Sequence, residues 1–281
     1  MTMDLDTGQV PTWCPGCGDY MILGALKGAL KELNMDMSNT AIVSGIGCGS
    51  KTPHFVKAYG FEGLHGRILP VATGIKLANH KLNVIGIGGD GDGYGIGGNH
   101  FIHTCRRNLD MTYIVQNNEV YGLTKGQYSP TSPKGFKSVT SPEGAIDEPV
   151  NPITTAIASG ATFVARTHVF DPIFTKEIIK QALQHKGFAL VDIMQICVTY
   201  NKTMPVDWFK QNMYKLEKHD PSDKVKAFDV GQELGPKVPY GLFYKEDKAT
   251  YEDQVSEFKE GPLVERDIKN VDIKKLIDRF R

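Results

Sequence analysis

Short apolar runs alternate with longer segments of helical periodicity along the chain up to about residue 204. The short runs are rich in β-branched residues, as in buried parallel strands, and they occupy 41–44, 83–88, 111–116 and 190–196. Apolar residues recur at helical spacing over 18–33, 70–79, 99–107 and 171–185. This alternation predicts an α/β fold, a doubly wound parallel sheet with helices on both faces.

The pattern changes at about residue 205, where mixed charges and several prolines replace the apolar runs. We therefore predict one domain over 1–204 and a C-terminal extension over 205–281 that contacts a partner, covers the functional site or caps the sheet. A short amphipathic end helix is expected from Val271, Ile273, Leu276, Ile277 and Phe280. The long Pro/Gly/Ser-rich loop 129–152 is of a kind that is uncommon unless it is functional or packed on a partner.

The length and the charge of the chain exclude several classes of function. A chain of 281 residues suits one large α/β domain with an extension. Its 32 basic and 32 acidic residues cancel, which argues against nucleic acid or an anionic membrane as a partner. No apolar run approaches the roughly 18 residues of a membrane helix, and no signal segment is evident. We expect a cytoplasmic protein.

A glycine-rich segment follows the predicted strand 83–88 and contains Asp90. Ligands of open α/β sheets bind outside the carboxyl ends of the strands, and glycines let the backbone approach a phosphate closely. Gly89 and Gly91 flank the carboxylate and are expected to contact such a phosphate. A dinucleotide loop or a structural turn would also place glycines here.

The predicted strand 111–116 is followed by Asn117 and Asn118, at the same edge of the sheet as Asp90. Magnesium prefers hard oxygen ligands and is often shared between carboxylates and phosphates. Asp90, the amide oxygen of Asn118 and a backbone carbonyl near Val120 would supply three. A dinucleotide site has no role for the Asn pair, and no acidic residue ends a following strand at the expected distance. Thiamine diphosphate with Mg²⁺ is the leading cofactor.

Five cysteines in a protein of this kind indicate metal or redox chemistry rather than disulfides. Cys14 and Cys17 form a short pair, which alone fits a dithiol motif, half a zinc site or buried thiols. Cys48 and Cys197 each follow or end a strand-like run and could reach the same sheet edge. A tetrathiolate holds zinc or a 4Fe-4S cluster, and one pair with two distant singles favours iron modestly. Cys105 lies in a helical segment and is expected to pack.

With these motifs the chain resembles the β subunits of 2-oxoacid:ferredoxin oxidoreductases from about residue 13 to 203. The motifs are WCPGCG at 13–18, GIGCGSK at 45–51, LHGR at 64–67, GDGD at 89–92, NNEVYGLTKGQ at 117–127 and the segment around Cys197. The sequences of these motifs are most similar to those of the two-subunit enzymes that act on 2-oxoglutarate or on several 2-oxoacids.

The resemblance implies the cofactors and the residues that bind them. It implies a thiamine-diphosphate-binding sheet with magnesium on Asp90, Asn118 and Val120. It also implies one 4Fe-4S cluster near the thiamine, held by Cys14, Cys17, Cys48 and Cys197. The remaining cofactor contacts expected are His65, Gly66, Gly89, Gly91, Asp92 and Asn117. His65 has an equal alternative as a turn residue, and Asp92 as a supporting acceptor or a helix cap.

The implied activity is CoA-dependent oxidative decarboxylation of a 2-oxoacid to an acyl-CoA and CO₂, in either direction, with electrons passing through the cluster to ferredoxin. We rank 2-oxoglutarate ahead of pyruvate as the substrate. Lys51, Leu123 and Lys125 are candidate substrate contacts because a carboxylate needs a cation, although both lysines could be solvated surface charges. The activating glutamate is expected from an α subunit, in an αβ or (αβ)₂ assembly.

Two other classes stay open on the sequence. One is a non-redox thiamine diphosphate decarboxylase or carboligase whose cysteines bind structural zinc. The other is a non-catalytic electron-transfer or scaffold subunit that retains the fold.

Overall fold

The computed structural model describes residues 4–267, 269 and 273–281. Its main sheet has eight strands in the order β2-β1-β3-β4-β8-β7-β10-β9. The strands of this sheet are β1 (Thr40–Ser44), β2 (Tyr59–Glu62), β3 (Asn83–Gly89), β4 (Met111–Asn117), β7 (Phe163–His168), β8 (Phe188–Met194), β9 (Met213–Lys215) and β10 (Val238–Lys245). Strands β5 (Val120–Tyr121) and β6 (Gln127–Tyr128) form a separate hairpin.

The sheet has helices on both faces, as the alternating pattern predicted. Helices of the described residues are α1 (Asp19–Glu32), α2 (Ile68–Ala78), α3 (Gly98–Arg107), α4 (Pro152–Ser159), α5 (Pro172–Gln184), α6 (Val206–Asn212), α7 (Lys224–Gly231), α8 (Tyr251–Gln254) and α9 (Ile273–Asp278). Asp171 caps α5 by accepting from the Phe174 N–H at 3.2 Å, and Pro172 takes its first position. No helix in these ranges is long and apolar enough to cross a membrane.

Alternate residues of the central strands pack on opposite faces. Helices α1 and α5 cover one face, where Ile42, Ile85, Ile114 and Val191 meet them in one apolar cluster. Helices α2, α3, α4 and α7 cover the other with Val43, Tyr113, Val115 and Leu190. Cys105 of α3 is fully buried in this second cluster, so its predicted packing role is confirmed. The predicted α/β fold is confirmed, with a mostly parallel sheet between two helical layers.

The segment after residue 204 adds two strands that the sequence did not predict. Strand β10 pairs antiparallel with β7, and β9 pairs parallel with β10. Pro239 and the shift of register between Leu242 and Tyr244 interrupt the pattern from which a strand would be recognised. The proposed division at 204/205 stays a prediction. Of the predicted end helix, Val271 lies outside the described residues, whereas Ile273–Asp278 is helical and exposed.

A buried ion pair joins β7 to β8 below the strand ends. The Nε of Arg166 donates to Oδ2 of Asp192 at 2.9 Å, and both side chains are almost fully buried. We expect Asp192→Ala to destabilise the protein by about 3–5 kcal/mol, because it leaves the Arg166 charge buried without its partner. In contrast, Asp4→Ala removes an exposed pair with Lys57 and should leave the stability nearly unchanged. Thermal unfolding of both variants tests this, and equal midpoints would contradict it.

Candidate active site

A cavity of about 490 Å³ opens at the carboxyl ends of β1, β3 and β4. The parallel register brings the ends of these strands together, so the segments that follow them meet at one edge. Much of the wall is backbone without side chains, from Gly47, Gly49, Gly89, Gly91 and Gly122. The other residues of the wall include Cys48, His65, Asp90, Asp92, Asn118, Val120, Leu123 and Thr124.

Asp90 follows β3 directly and is 1% exposed. Its Oδ1 accepts from the Asn118 N–H at 3.3 Å, while its Oδ2 accepts from the hydroxyls of Ser129 at 2.5 Å and Thr131 at 2.7 Å. Burial raises the pKa of this carboxyl to about 6, although the three hydrogen bonds favour the charged form. A cation in the cavity would offset that desolvation.

Asn118 and Val120 lie on opposite sides of a residue with positive φ. Glu119 has φ 55°, an uncommon conformation for a residue with a side chain, and it turns the chain between them. The Asn118 side-chain oxygen accepts from the Val120 N–H at 3.1 Å, and both residues are at least nine-tenths buried. The turn therefore presents an amide oxygen and backbone groups beside Asp90.

These residues fit magnesium with a diphosphate. The oxygens are the hard ligands that Mg²⁺ takes, and their number leaves positions for phosphate and water. A Cβ built on Gly89 would find one atom within 4 Å, at 3.9 Å, so this part of the wall is open for a ligand to approach. The buried Oε1 of Gln116, also in the wall, has no hydrogen-bond partner among the residues that the structure describes. A bound polar ligand could satisfy it.

Asp92 holds the loop that carries His65 and Gly66. Its carboxylate accepts from the backbone N–H groups of Gly66 and of Ile46, the latter at 2.9 Å. Burial raises the pKa of Asp92, whereas these hydrogen bonds and nearby His65 lower it. His65 lines the cavity with Nδ1 at 3.1 Å from the Ile46 carbonyl, which leaves its Nε2 for a ligand. Asp92 thus supports the wall, and its direct contact with a cofactor stays a prediction.

Asn117 is placed behind the cavity. Its Nδ2 donates to Asp192 at 3.1 Å, and its Oδ1 lies 3.0 Å from the Thr131 hydroxyl and accepts from the Glu119 N–H at 3.3 Å. Both ends of the amide are therefore used by the protein. The side chain is positioned to support the turn at Glu119, and the predicted contact of Asn117 with a cofactor stays a prediction.

Four of the cysteines lie together beside the cavity. A Cβ built on Gly122 would be 3.6 Å from the Cys48 sulfur and 3.7 Å from the Cys197 sulfur. Cys17 is close enough to Cys197, and Cys14 to Cys48, for their charges to interact. The Cys14 sulfur accepts from the Thr199 hydroxyl at 3.3 Å. Residues far apart in the sequence are thus brought to one place.

The thiols fit a metal cluster that binds thiolates. Burial raises the pKa of Cys48 to about 11 and that of Cys17 further, with nearby Asp19 adding to both shifts. A bound metal would displace these protons. Within the described ranges no three Cys, His, Asp or Glu side chains converge on a point that could hold one ion. A set of four thiolates binds either zinc, with its sulfurs at about 2.3 Å from one centre, or a 4Fe-4S cluster.

The three predicted substrate contacts occupy different environments. Leu123 lines the cavity and is 47% exposed. Lys125 follows two residues later in the same turn, is exposed and has φ 81°. Lys51 lies beside the cysteines, where its Nζ donates to the Thr12 hydroxyl at 3.1 Å. Their contact with a substrate remains a prediction.

Several residues of the site carried no signal in the sequence. Ser129 and Thr131 contact Asp90 from a loop about 40 residues away, and Gln195 donates to the buried Asp19 at 2.8 Å. Asp19 in turn lies 3.4 Å from the Cys17 sulfur. Serine, threonine and glutamine are common in loops and at strand ends, so their types alone did not distinguish them.

Two protein-family models match parts of the chain. Residues 44–193 match the thiamine pyrophosphate enzyme C-terminal TPP binding domain, which covers the strand ends and the cavity. Residues 197–260 match the C-terminal part of the pyruvate ferredoxin oxidoreductase β chain.

Individual relatives cover most of the chain. It is 48% identical to the β subunit of 2-oxoacid:ferredoxin oxidoreductase 1 from Aeropyrum pernix, over 87% of this chain and 81% of that one. It is 40% identical to the 2-oxoglutarate synthase subunit KorB of Archaeoglobus fulgidus, over 81% and 86%. A solved 2-oxoglutarate:ferredoxin oxidoreductase from Magnetococcus marinus, with 2-oxoglutarate, coenzyme A and succinyl-CoA bound, superposes with a TM-score of 0.91 at 40% identity, covering 99% and 95%. The chain therefore belongs to the 2-oxoacid:ferredoxin oxidoreductase family, as a β subunit.

Proposed function

We propose that this chain is the catalytic β subunit of an enzyme that oxidises and decarboxylates 2-oxoglutarate to its CoA thioester and CO₂, with ferredoxin as the electron acceptor. The observation that carries the proposal is the position of Cys48 in the wall of the cavity that also contains Asp90, Asn118 and Val120. If these residues bind a cofactor that cleaves a carbon–carbon bond and an electron acceptor, the two groups would lie next to each other. The same site serves reductive carboxylation when the ferredoxin potential is low enough.

When bound, thiamine diphosphate supplies a carbon nucleophile and an electron sink, and the 4Fe-4S cluster supplies one-electron steps. The chain's own residues hold these groups. Asp90, Asn118 and the Val120 carbonyl would bind Mg²⁺, with the diphosphate against the glycine wall and near His65. Cys14, Cys17, Cys48 and Cys197 would bind the cluster.

Between these two sites lies Gly122. A Cβ there would be in ordinary van der Waals contact with the Cys48 and Cys197 sulfurs, at 3.6 and 3.7 Å. Because Gly122 also lines the cavity, the thiols and the cavity are separated by a single residue at this point. A short separation favours electron transfer from the cavity to the cluster.

An α subunit is the expected partner. The relatives are named as β subunits, which implies a second subunit. Exposed apolar side chains line the cavity, and they are Ile46, Ile96 and Leu123. Leu64, which precedes His65 of the wall, is also exposed. A partner covering the mouth would exclude water and bring the glutamate that activates the cofactor, because no glutamate of the described residues lines the cavity. We propose an αβ or (αβ)₂ assembly.

2-Oxoglutarate ranks ahead of pyruvate because several relatives are named for it and the solved relative binds it. Its second carboxylate requires a cation, and the exposed Lys125 follows Leu123 and Thr124 of the cavity wall in the same turn. We expect Lys125→Ala to raise the KM for 2-oxoglutarate by about 10-fold or more, since a charged hydrogen bond is worth roughly 1.5–3 kcal/mol. The KM for pyruvate should change little.

Steady-state kinetics on both substrates test this, with Lys137→Ala as the matched control. Lys137 is an exposed lysine in the neighbouring loop. Equal changes of KM for the two substrates would show that Lys125 does not recognise the second carboxylate.

The overall proposal is tested by anaerobic co-purification with the α subunit. We expect reduction of ferredoxin or a viologen dye that requires both CoA and a 2-oxoacid, and a brown protein that contains iron and labile sulfide. The control omits CoA. Aldehyde release or carboligation without dye reduction, in a colourless protein that contains zinc, would instead identify the non-redox class. Absence of thiamine diphosphate binding would identify a scaffold subunit.

A further inference from the structure

Two buried hydroxyl groups lie against one oxygen of the Asp90 carboxylate. The Ser129 Oγ is 2.5 Å and the Thr131 Oγ1 2.7 Å from Oδ2. All three side chains are at least nine-tenths buried. From the described residues the other oxygen, Oδ1, accepts the longer hydrogen bond of the Asn118 N–H at 3.3 Å. The protein therefore satisfies Oδ2 more fully and leaves Oδ1 with lone pairs for a ligand.

Counting the protons that each group can donate shows that both hydroxyls donate to Asp90. A hydroxyl has one proton, and an ionised carboxylate only accepts. Thr131 Oγ1 also lies 3.0 Å from the Asn117 Oδ1, but the Asn117 amide nitrogen is committed to Asp192, so an oxygen faces Thr131. One proton cannot serve both acceptors. The carboxylate is closer and charged, and it makes the stronger hydrogen bond.

The short segment 129–132, which contains Ser129 and Thr131, also contacts the other side of the metal site. The Ser129 N–H donates to the Ser132 Oγ at 2.8 Å, and the Ser132 hydroxyl donates to the Glu119 carbonyl at 2.5 Å. Glu119 lies between Asn118 and Val120. Residues 129–132 therefore fix Asp90 and the Asn118–Val120 turn relative to each other.

We propose that Ser129 and Thr131 are positioning residues for the divalent cation: they hold Oδ2 of Asp90 so that Oδ1 is directed to the metal, beside Asn118 and Val120. This inference rests on the magnesium site of the proposed function. Hydrogen bonds to the ligands of a metal orient them, and loss of such a bond typically costs 10–100-fold in metal affinity or activity.

The test uses variants that separate the hydroxyl from the shape of the side chain. Thr131→Val keeps the shape and removes the hydroxyl, whereas Thr131→Ser keeps the hydroxyl and removes the methyl group. Ser129→Ala is an independent variant at the second donor. Thr140→Val is the matched control, because Thr140 is an exposed threonine of the same loop whose hydroxyl bonds to Ser138.

The readout is the Kd of Mn²⁺ for the metal-depleted αβ complex with thiamine diphosphate, measured by electron paramagnetic resonance. We expect Thr131→Val and Ser129→Ala each to raise this Kd about 10–100-fold. Thr131→Ser and Thr140→Val should stay close to the wild type. At saturating metal, the kcat of Thr131→Val should recover at least in part.

Other outcomes distinguish a failure of the positioning role of Ser129 and Thr131 from a failure of the metal site itself. If wild type binds Mn²⁺ but Thr131→Val and Ser129→Ala bind it equally well, the positioning role is wrong and the metal site stands. If Thr131→Ser is the weaker binder of the threonine pair, the methyl group matters and the role is one of packing. If wild type itself shows no thiamine diphosphate-dependent Mn²⁺ binding, the metal site of the proposed function fails and this inference fails with it.

Discussion

Asp90→Asn is expected to lower the activity of the αβ complex by more than about 100-fold, because changing a residue that only supports a metal ligand already costs 10–100-fold. The amide keeps the size of the side chain and removes the negative charge that a divalent cation requires. Binding of thiamine diphosphate with Mg²⁺ should be lost in parallel, as measured by titration calorimetry. Asp207→Asn, at a side chain that is 78% exposed, is the control and should leave both unchanged.

The stability of the metal-free protein should change in the opposite direction. Burial raises the pKa of Asp90 from 3.8 to about 6 in the folded state, so the folded protein binds this proton more tightly than the unfolded chain. The resulting stabilisation is complete below pH 3.8 and is lost as the pH rises through about 6.

At pH 8 the metal-free Asp90→Asn variant should therefore be more stable than the parent, by at most about 3 kcal/mol for a shift of this size. The advantage should shrink toward pH 4. Adding Mg²⁺ and thiamine diphosphate should raise the unfolding midpoint of the parent alone. Thermal unfolding across this pH range checks the sign. A variant that is less stable than the parent by the same amount at every pH would show that Asp90 has a packing role and that its charge carries no unfavourable burial energy.

Cys17→Ser and Cys197→Ser are each expected to abolish CoA-dependent ferredoxin reduction and to remove most of the bound iron. Each variant replaces a thiolate ligand by a hydroxyl that stays protonated, and the two positions are far apart in the sequence. Burial raises the pKa of Cys17, so metal binding must displace the proton of this thiol. The loss of one of four ligands is expected to weaken the whole site. Iron and sulfide content and the visible and paramagnetic resonance spectra of anaerobically purified protein measure the effect.

Cys105→Ala is the matched control for the cysteine variants. Cys105 is fully buried in α3 and packs in the apolar cluster behind the sheet. We expect a small loss of stability with normal iron content and activity. Both ligand variants should still bind thiamine diphosphate with Mg²⁺, because Asp90 and Asn118 are unchanged. Normal iron in Cys17→Ser, or a wild type that contains zinc in place of iron, would contradict the cluster assignment.

Much of the central fold followed from local patterns. The β-branched run before Asp90 formed β3 at Asn83–Gly89, and the run before Asn117 formed β4 at Met111–Asn117. Parallel strands end at a common edge, so the polar residues after them were expected to meet, and they do line one cavity through Asp90 and Asn118. Strand β10 was missed because Pro239 and an irregular register disrupted its periodicity. Strand β9 was missed because it has only three residues.

The sequence by itself determined the alternating elements, the glycine wall and the kinds of ligand, because these depend on the chemistry of neighbouring residues. Only the tertiary structure decided that Ser129 and Thr131 contact Asp90, that the Asn117 amide turns toward Asp192, and that Lys51 lies beside the cysteines. The convergence of Cys14 and Cys17 with Cys48 and Cys197 was likewise a matter of packing. These contacts join segments that are distant along the chain, and a hydroxyl or an amide has no preferred partner until folding removes water and leaves one within reach.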